Sequence, residues 1–139
     1  MAIFGVDTGG FLIKIKNHDQ PIPIGSLGDG FWRMLGLVLA MVNLENGILL
    51  VDEIDSGLHF TVMTDMWKFV WETAKKLNIQ VFATTHSRDC WQSLAELITE
   101  EKITDNEITI QRIDKEKSQS VIFDPEEIVI AATSNLEVR

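Results

Sequence analysis

Cysteine is almost absent from the chain: Cys90 stands alone, so no disulfide can close within it, and no Cys-x-x-Cys metal pair can form. A lone thiol suits a reducing compartment, and the expectation is a cytoplasmic protein. Basic side chains are few. Twelve Lys and Arg stand against twenty-one Asp and Glu, a net charge of −9 that opposes broad contact with phosphate backbones or anionic lipid. No local basic cluster offsets this balance, so no direct nucleic-acid patch is expected. Long apolar runs are missing too. The first ten residues lack the basic-then-apolar order of a signal peptide, and residues 31–42 are interrupted by Arg33 and fall short of the roughly 20 residues that a spanning helix needs. The expectation is a soluble chain that makes no membrane contact. With no repeat, no low-complexity tract and no long linker, its 139 residues form one domain, and a hydrophobic content of 45% is enough to build its core.

What is present alternates between strand and helix patterns. Residues 10–24 place Phe11, Ile13 and Ile15 at period two, turn near residues 17–20 and resume at Pro21, which predicts a hairpin. Gly9 and Gly10 read as a turn. Residues 31–43 put Met34, Leu35, Val38, Leu39 and Val42 on one helical stripe. The unbroken Ile-Leu-Leu-Val at 48–51 predicts a parallel strand buried on both faces. Residues 58–77 read as one long helix, with Met63, Met66, Trp67, Val70, Trp71 and Ala74 facing the core. A second apolar strand, 79–83, and a helical segment, 91–98, follow. Strand, helix, strand, helix predicts an α/β layer of parallel strands flanked by helices, with ligand sites at the carboxyl ends of the strands. Beyond it, residues 107–113 and 120–123 predict a second hairpin around the charged turn 114–117. Asp124, Pro125 and Glu127 are the cap, first-turn proline and N3 glutamate of a short terminal helix.

Three clusters carry candidate chemistry. Asp52 and Glu53 directly follow the first buried strand, where one carboxylate suits a magnesium ion and a second suits a base for an attacking water. The competing reading is that they cap the next element or pair with a lysine. One strand later, His86 follows Thr84 and Thr85 at the same end of the sheet, placed to contact a γ-phosphate or to cap a helix. The third cluster, residues 25–30, is a glycine-rich loop before a helix. Its bare backbone N–H groups suit an anion, although Asp29 opposes one, and a simple connector is the alternative.

In this order, residues 27–31, 48–53, 54–59 and 84–87 resemble the signature loop, Walker B strand, D-loop and switch-histidine loop of ABC-type ATPases. The run 52–59 resembles most the AAA-type ATP-binding proteins akin to the OLD family, over residues 21–98, and residues 135–139 look like the end of such a domain. The resemblance implies a partial P-loop NTPase fold with a C-terminal β-hairpin and short helix. Residues 1–24 would be an N-terminal hairpin, 25–98 the motif-bearing core and 99–139 the C-terminal hairpin and helix. It further implies that Asp52 assists Mg2+, Glu53 is the catalytic base and His86 senses the γ-phosphate of ATP. Asp55 and Ser56 would face an opposing subunit. Ser26, Gly28, Asp29 and Gly30 would reach ATP held by that partner, with Gly28 standing where the signature serine is usual.

No segment fits Gly-x-x-x-x-Gly-Lys-Ser/Thr; after Gly5 and Gly10, Phe11 and Leu12 occupy the places of the lysine and hydroxyl. The resemblance therefore leads to a composite site, completed by a homodimer or by a Walker A-bearing ATPase polypeptide. The alternative is an inactive remnant or a regulatory dimerisation module. In the first case strand 79–83 would have an open edge, to be covered by strand 107–113 or by a partner. A third chemistry gathers Asp52, Glu53, Asp55, His59 and His86 around manganese or zinc as a metal-dependent hydrolase.

Overall fold

In the computed structural model, which describes residues 2–6, 10–15, 20–105, 107–114 and 118–134, the chain opens with a small antiparallel sheet. Its strands are β1 (Ala2–Val6), β2 (Gly10–Lys14) and β3 (Ile22–Pro23), in the order β1-β2-β3. The expected hairpin is the β2–β3 pair, with Ile13 opposite Ile22. β1 went unread because Ala-Ile-Phe-Gly-Val has no clear alternation, yet it pairs along the whole of β2. Gly10, expected in a turn with Gly9, is instead the first residue of β2, opposite Val6, while Gly9 and most of the turn at 17–20 fall outside the described residues. Ile13 is buried, as is Ile24 in the 3-10 turn Ile24–Leu27 that leads into α1 (Asp29–Val42).

α1 is apolar nearly all round, so periodicity alone misjudged its buried face. Met41 is fully buried, and Met34 and Leu37 pack on the same cluster, whereas Leu39 and Val42 of the predicted stripe are exposed. The chain then enters β4 (Ile48–Val51), passes through the 3-10 turn Phe60–Val62 into α2 (Met63–Leu77), and returns in β5 (Gln80–Ala83). β4 and β5 pair in parallel, with Ile48 opposite Gln80 and Val51 opposite Ala83. α2 starts at Met63, later than expected from residue 58, because His59 first caps the separate turn by accepting a hydrogen bond from the Thr61 amide. Its expected face is inward: Met63, Met66 and Val70 are buried in one cluster with Met41, Ile54, Ile79 and Cys90. Each such side chain contributes about 1.5–3 kcal/mol through its burial.

The expectation of strands buried on both faces is corrected. Leu49, Val51 and Val81 pack inward, but Ile48, Leu50 and Phe82 are exposed, Leu50 by 75%. Side chains alternate across a strand, and among the described residues helices cover only one face of this pair.

α3 (Arg88–Glu101) extends the predicted segment at both ends, with Ser87 accepting from the Cys90 amide as its cap. β6 (Ile110–Asp114) and β7 (Gln119–Phe123) form the second hairpin, whose turn residues 115–117 fall outside the description. This hairpin is a sheet of its own, so it does not move in beside β5 as one expectation had it. α4 (Pro125–Thr133) starts at the predicted capping box, in which the Asp124 side chain accepts from the Glu127 amide and the Glu127 carboxylate accepts from the Asp124 amide. Ile128 and Ala131 anchor it beside α3, and residues 135–139 lie outside the description. Among the described residues no helix is long and apolar enough to cross a membrane.

Candidate functional site

Parallel pairing brings the polar ends of β4 and β5 side by side. Register continued one step past Val51 and Ala83 sets Asp52 beside Thr84, and the Thr84 hydroxyl donates to Asp52 Oδ1. The same hydroxyl accepts from the Glu53 amide at 2.9 Å. Backbone bonds frame this contact on both sides: the Thr84 amide donates to the Val51 carbonyl and the Ile54 amide to the Thr84 carbonyl, at 2.9 and 3.0 Å. One residue on, the Thr85 hydroxyl donates to Asp55 Oδ1 at 2.6 Å and accepts from the Ser87 amide at 3.0 Å. Sequence reading passed over both threonines. The signal was the register itself, since equal-length apolar runs in parallel bring the residues just after them into contact.

Glu53 has φ 47°, a left-handed conformation that costs an ordinary residue about 1–2 kcal/mol. Strained backbone of this kind is concentrated at functional sites. Glu53, Asp55, Ser56, His86 and Ser87 line one open cleft of about 320 Å³. The catalytic candidates Glu53 and His86 therefore share a wall, with Asp55 and Ser56 beside them and Asp52 held next to Glu53. A second, mostly apolar groove of about 240 Å³ runs between α1 and β4, with Arg33 at its rim and Glu53 again in its lining.

The glycine loop reaches the same end of the molecule by a backbone contact. A Cβ placed on Gly30 would lie 2.6 Å from the Gly57 carbonyl oxygen, so the start of α1 rests directly on the loop that follows β4. Gly57 itself turns at φ 77°, which only glycine adopts at little cost. Gly28 caps α1, and the exposed Ser26 lies in the preceding 3-10 turn. Asp29 occupies the first turn of α1, where its charge complements the helix dipole. None of Ser26, Gly28, Asp29 or Gly30 lines the cleft.

The donor set fits a magnesium ion that takes few of its ligands from the protein. Thr84 engages Oδ1 of Asp52, and Mg2+ needs only one or two protein carboxylates beside phosphate and water. Among the described residues no three His, Cys, Asp or Glu side chains cluster as an all-protein metal cage. The five-residue metal-hydrolase grouping is not assembled: His59 Nδ1 is engaged by Thr61, and its ring stacks on Phe60 at 4.4 Å. Beneath the cleft, burial pushes the Cys90 thiol up to about 11, against the pull of the Thr85 hydroxyl.

Residues 12–89 match the family model described as "AAA domain, putative AbiEii toxin, Type IV TA system". This match takes in more than half of the sequence. The chain belongs to this AAA domain family. An ATP/GTP phosphatase of Helicobacter pylori is 33% identical to this AAA domain over 92 residues, which are 63% of the chain but only 25% of that relative. The chain thus spans about a quarter of the phosphatase's length. The uncharacterised protein MJECL11 of Methanocaldococcus jannaschii is 31% identical over 86 residues, 62% of this chain and 75% of that one. Among solved structures, an SMC ATPase, described in terms of ATP-driven dimerisation and DNA-stimulated activation, aligns with a TM-score of 0.57 at 15% identity. It covers 94% of this chain and 74% of its own, a likeness of fold alone. The AAA domain is thus an ATPase-type domain of the P-loop NTPase fold, as the order of motifs implied.

Proposed function

We propose that this AAA domain contributes the hydrolytic side of an ATP site whose phosphate-binding loop comes from residues outside this sequence. The observation that carries the reading is the meeting of Glu53 and His86 in one cleft at adjoining strand tips, with Asp52 fixed beside them. In this reading the core 25–98 is the motif-bearing part, between the N-terminal sheet and the C-terminal hairpin and helix. Bound Mg2+ neutralises charge on the phosphates. Asp52 helps hold it. Glu53 accepts the proton of the attacking water, and His86 donates a hydrogen bond to the γ-phosphate or to that water. Asp55 and Ser56 line the same cleft, and in this reading they meet the opposing subunit there. Gly28 and Gly30 present the start of α1 toward ATP held by that subunit, with Ser26 and Asp29 flanking. A homodimer or a Walker A-bearing partner completes the site.

The test is Mg2+-ATP turnover by the chain mixed with a Walker A-bearing ATPase polypeptide of the same family. Turnover should depend on both components, and Glu53→Gln should lower kcat by about 10²–10⁴-fold, the usual contribution of a positioned base. Full turnover by Glu53→Gln would falsify the assignment. Absence of turnover from every combination favours the inactive module.

A further inference from the structure

The loop that carries His86 holds the acidic loop through side chains as well as backbone. The Thr84 hydroxyl uses its donor for the Asp52 carboxylate and an acceptor lone pair for the Glu53 amide. Glu53 is also the residue in the left-handed conformation, so one hydroxyl ties the metal-side carboxylate to the backbone of the strained residue. Thr85 repeats the arrangement one step on, with Asp55 as its acceptor. We infer that Thr84 is a positioning residue, whose hydroxyl keeps Asp52 in register with Glu53, the residue that lines the cleft with His86. Resting on the hydrolytic reading above, this means that a shift of the His86 loop on meeting a phosphate carries the base and the metal-side carboxylate with it. Signal and chemistry are then joined by a pair of hydroxyl contacts.

Thr84→Val isolates the hydroxyl, because its shape is nearly that of threonine and the two framing backbone bonds do not use the side chain. The measurement is amide hydrogen exchange by NMR on the full chain, comparing the parent with Thr84→Val and Thr84→Ser. Exchange at the Glu53 amide should quicken about tenfold in Thr84→Val, as for loss of one hydrogen bond, and return toward the parent rate in Thr84→Ser. Ile54 and Thr84, held by backbone bonds, should keep their rates. In the reconstituted ATPase, Thr84→Val should lower kcat about tenfold and Thr84→Ser should restore most of it. An unchanged Glu53 rate in Thr84→Val, or equal quickening at Glu53 and Ile54, overturns the positioning role whatever the turnover. Retained turnover in Glu53→Gln overturns the hydrolytic reading alone, since the exchange pattern does not depend on it.

Discussion

Replacing Gly30 with alanine tests whether the start of α1 rests on the loop after β4. The new methyl group would sit 2.6 Å from the Gly57 carbonyl oxygen, against the 3.4 Å at which ordinary contact begins, so the two backbones must part by roughly 0.8 Å. Neither atom belongs to a flexible side chain. Overpacking of this kind costs about 1–3 kcal/mol. Gly36 is the internal control. It lies in the same helix with nothing within 4 Å of its would-be Cβ, so alanine there should stabilise by about 1 kcal/mol through helix propensity alone. Thermal denaturation should move the two variants in opposite directions, Gly36→Ala up by about 4 °C and Gly30→Ala down by at least as much. If Gly30→Ala is as stable as Gly36→Ala, the contact with Gly57 does not exist and the glycine loop is no part of the site's framework.

Two further outcomes follow from the site's strain and burial. With φ 47° at position 53, Glu53→Gly should be more stable than Glu53→Ala by about 1 kcal/mol in urea unfolding, and equal stability would mean that the left-handed turn is not held. The Cys90 thiol, raised by burial to about 11 from an ordinary value of 9.0, keeps its proton in the folded chain where the unfolded chain has released it. Stability from this source is therefore complete below about pH 9 and falls as pH rises toward 11, by about 2–3 kcal/mol in all. Cys90→Ala should flatten that limb of the unfolding curve, and an unchanged slope would refute the assignment.

The alternation of strand and helix, the two hairpins and the box at Asp124 were legible because each rests on local pattern or local hydrogen bonding. The polar clusters at 52–59 and 84–87 could be placed at one sheet end from strand direction alone. Other features depend on what lies across the fold. Leu39 and Val42 face outward because α1, apolar on every side, offers no period to choose by. Ile48 and Leu50 looked buried because an apolar run implies cover, and the described residues supply it on one face only. The start of α2 moved from residue 58 to Met63 through a histidine cap that no helix signal announces. Thr84 and Thr85 were within reach of a register argument but were read only as neighbours of His86.

Paramagnetic broadening offers the most direct check on where a triphosphate lies. In the assembly with a Walker A-bearing partner, Mn2+ replaces Mg2+ with and without ATP, and NMR signals are followed along the chain. The nucleotide-dependent broadening should centre on residues 52–56 and 84–87 and spare the β6–β7 hairpin. Broadening that ignores ATP, or that leaves the tips of β4 and β5 untouched, would contradict a nucleotide held between Glu53 and His86.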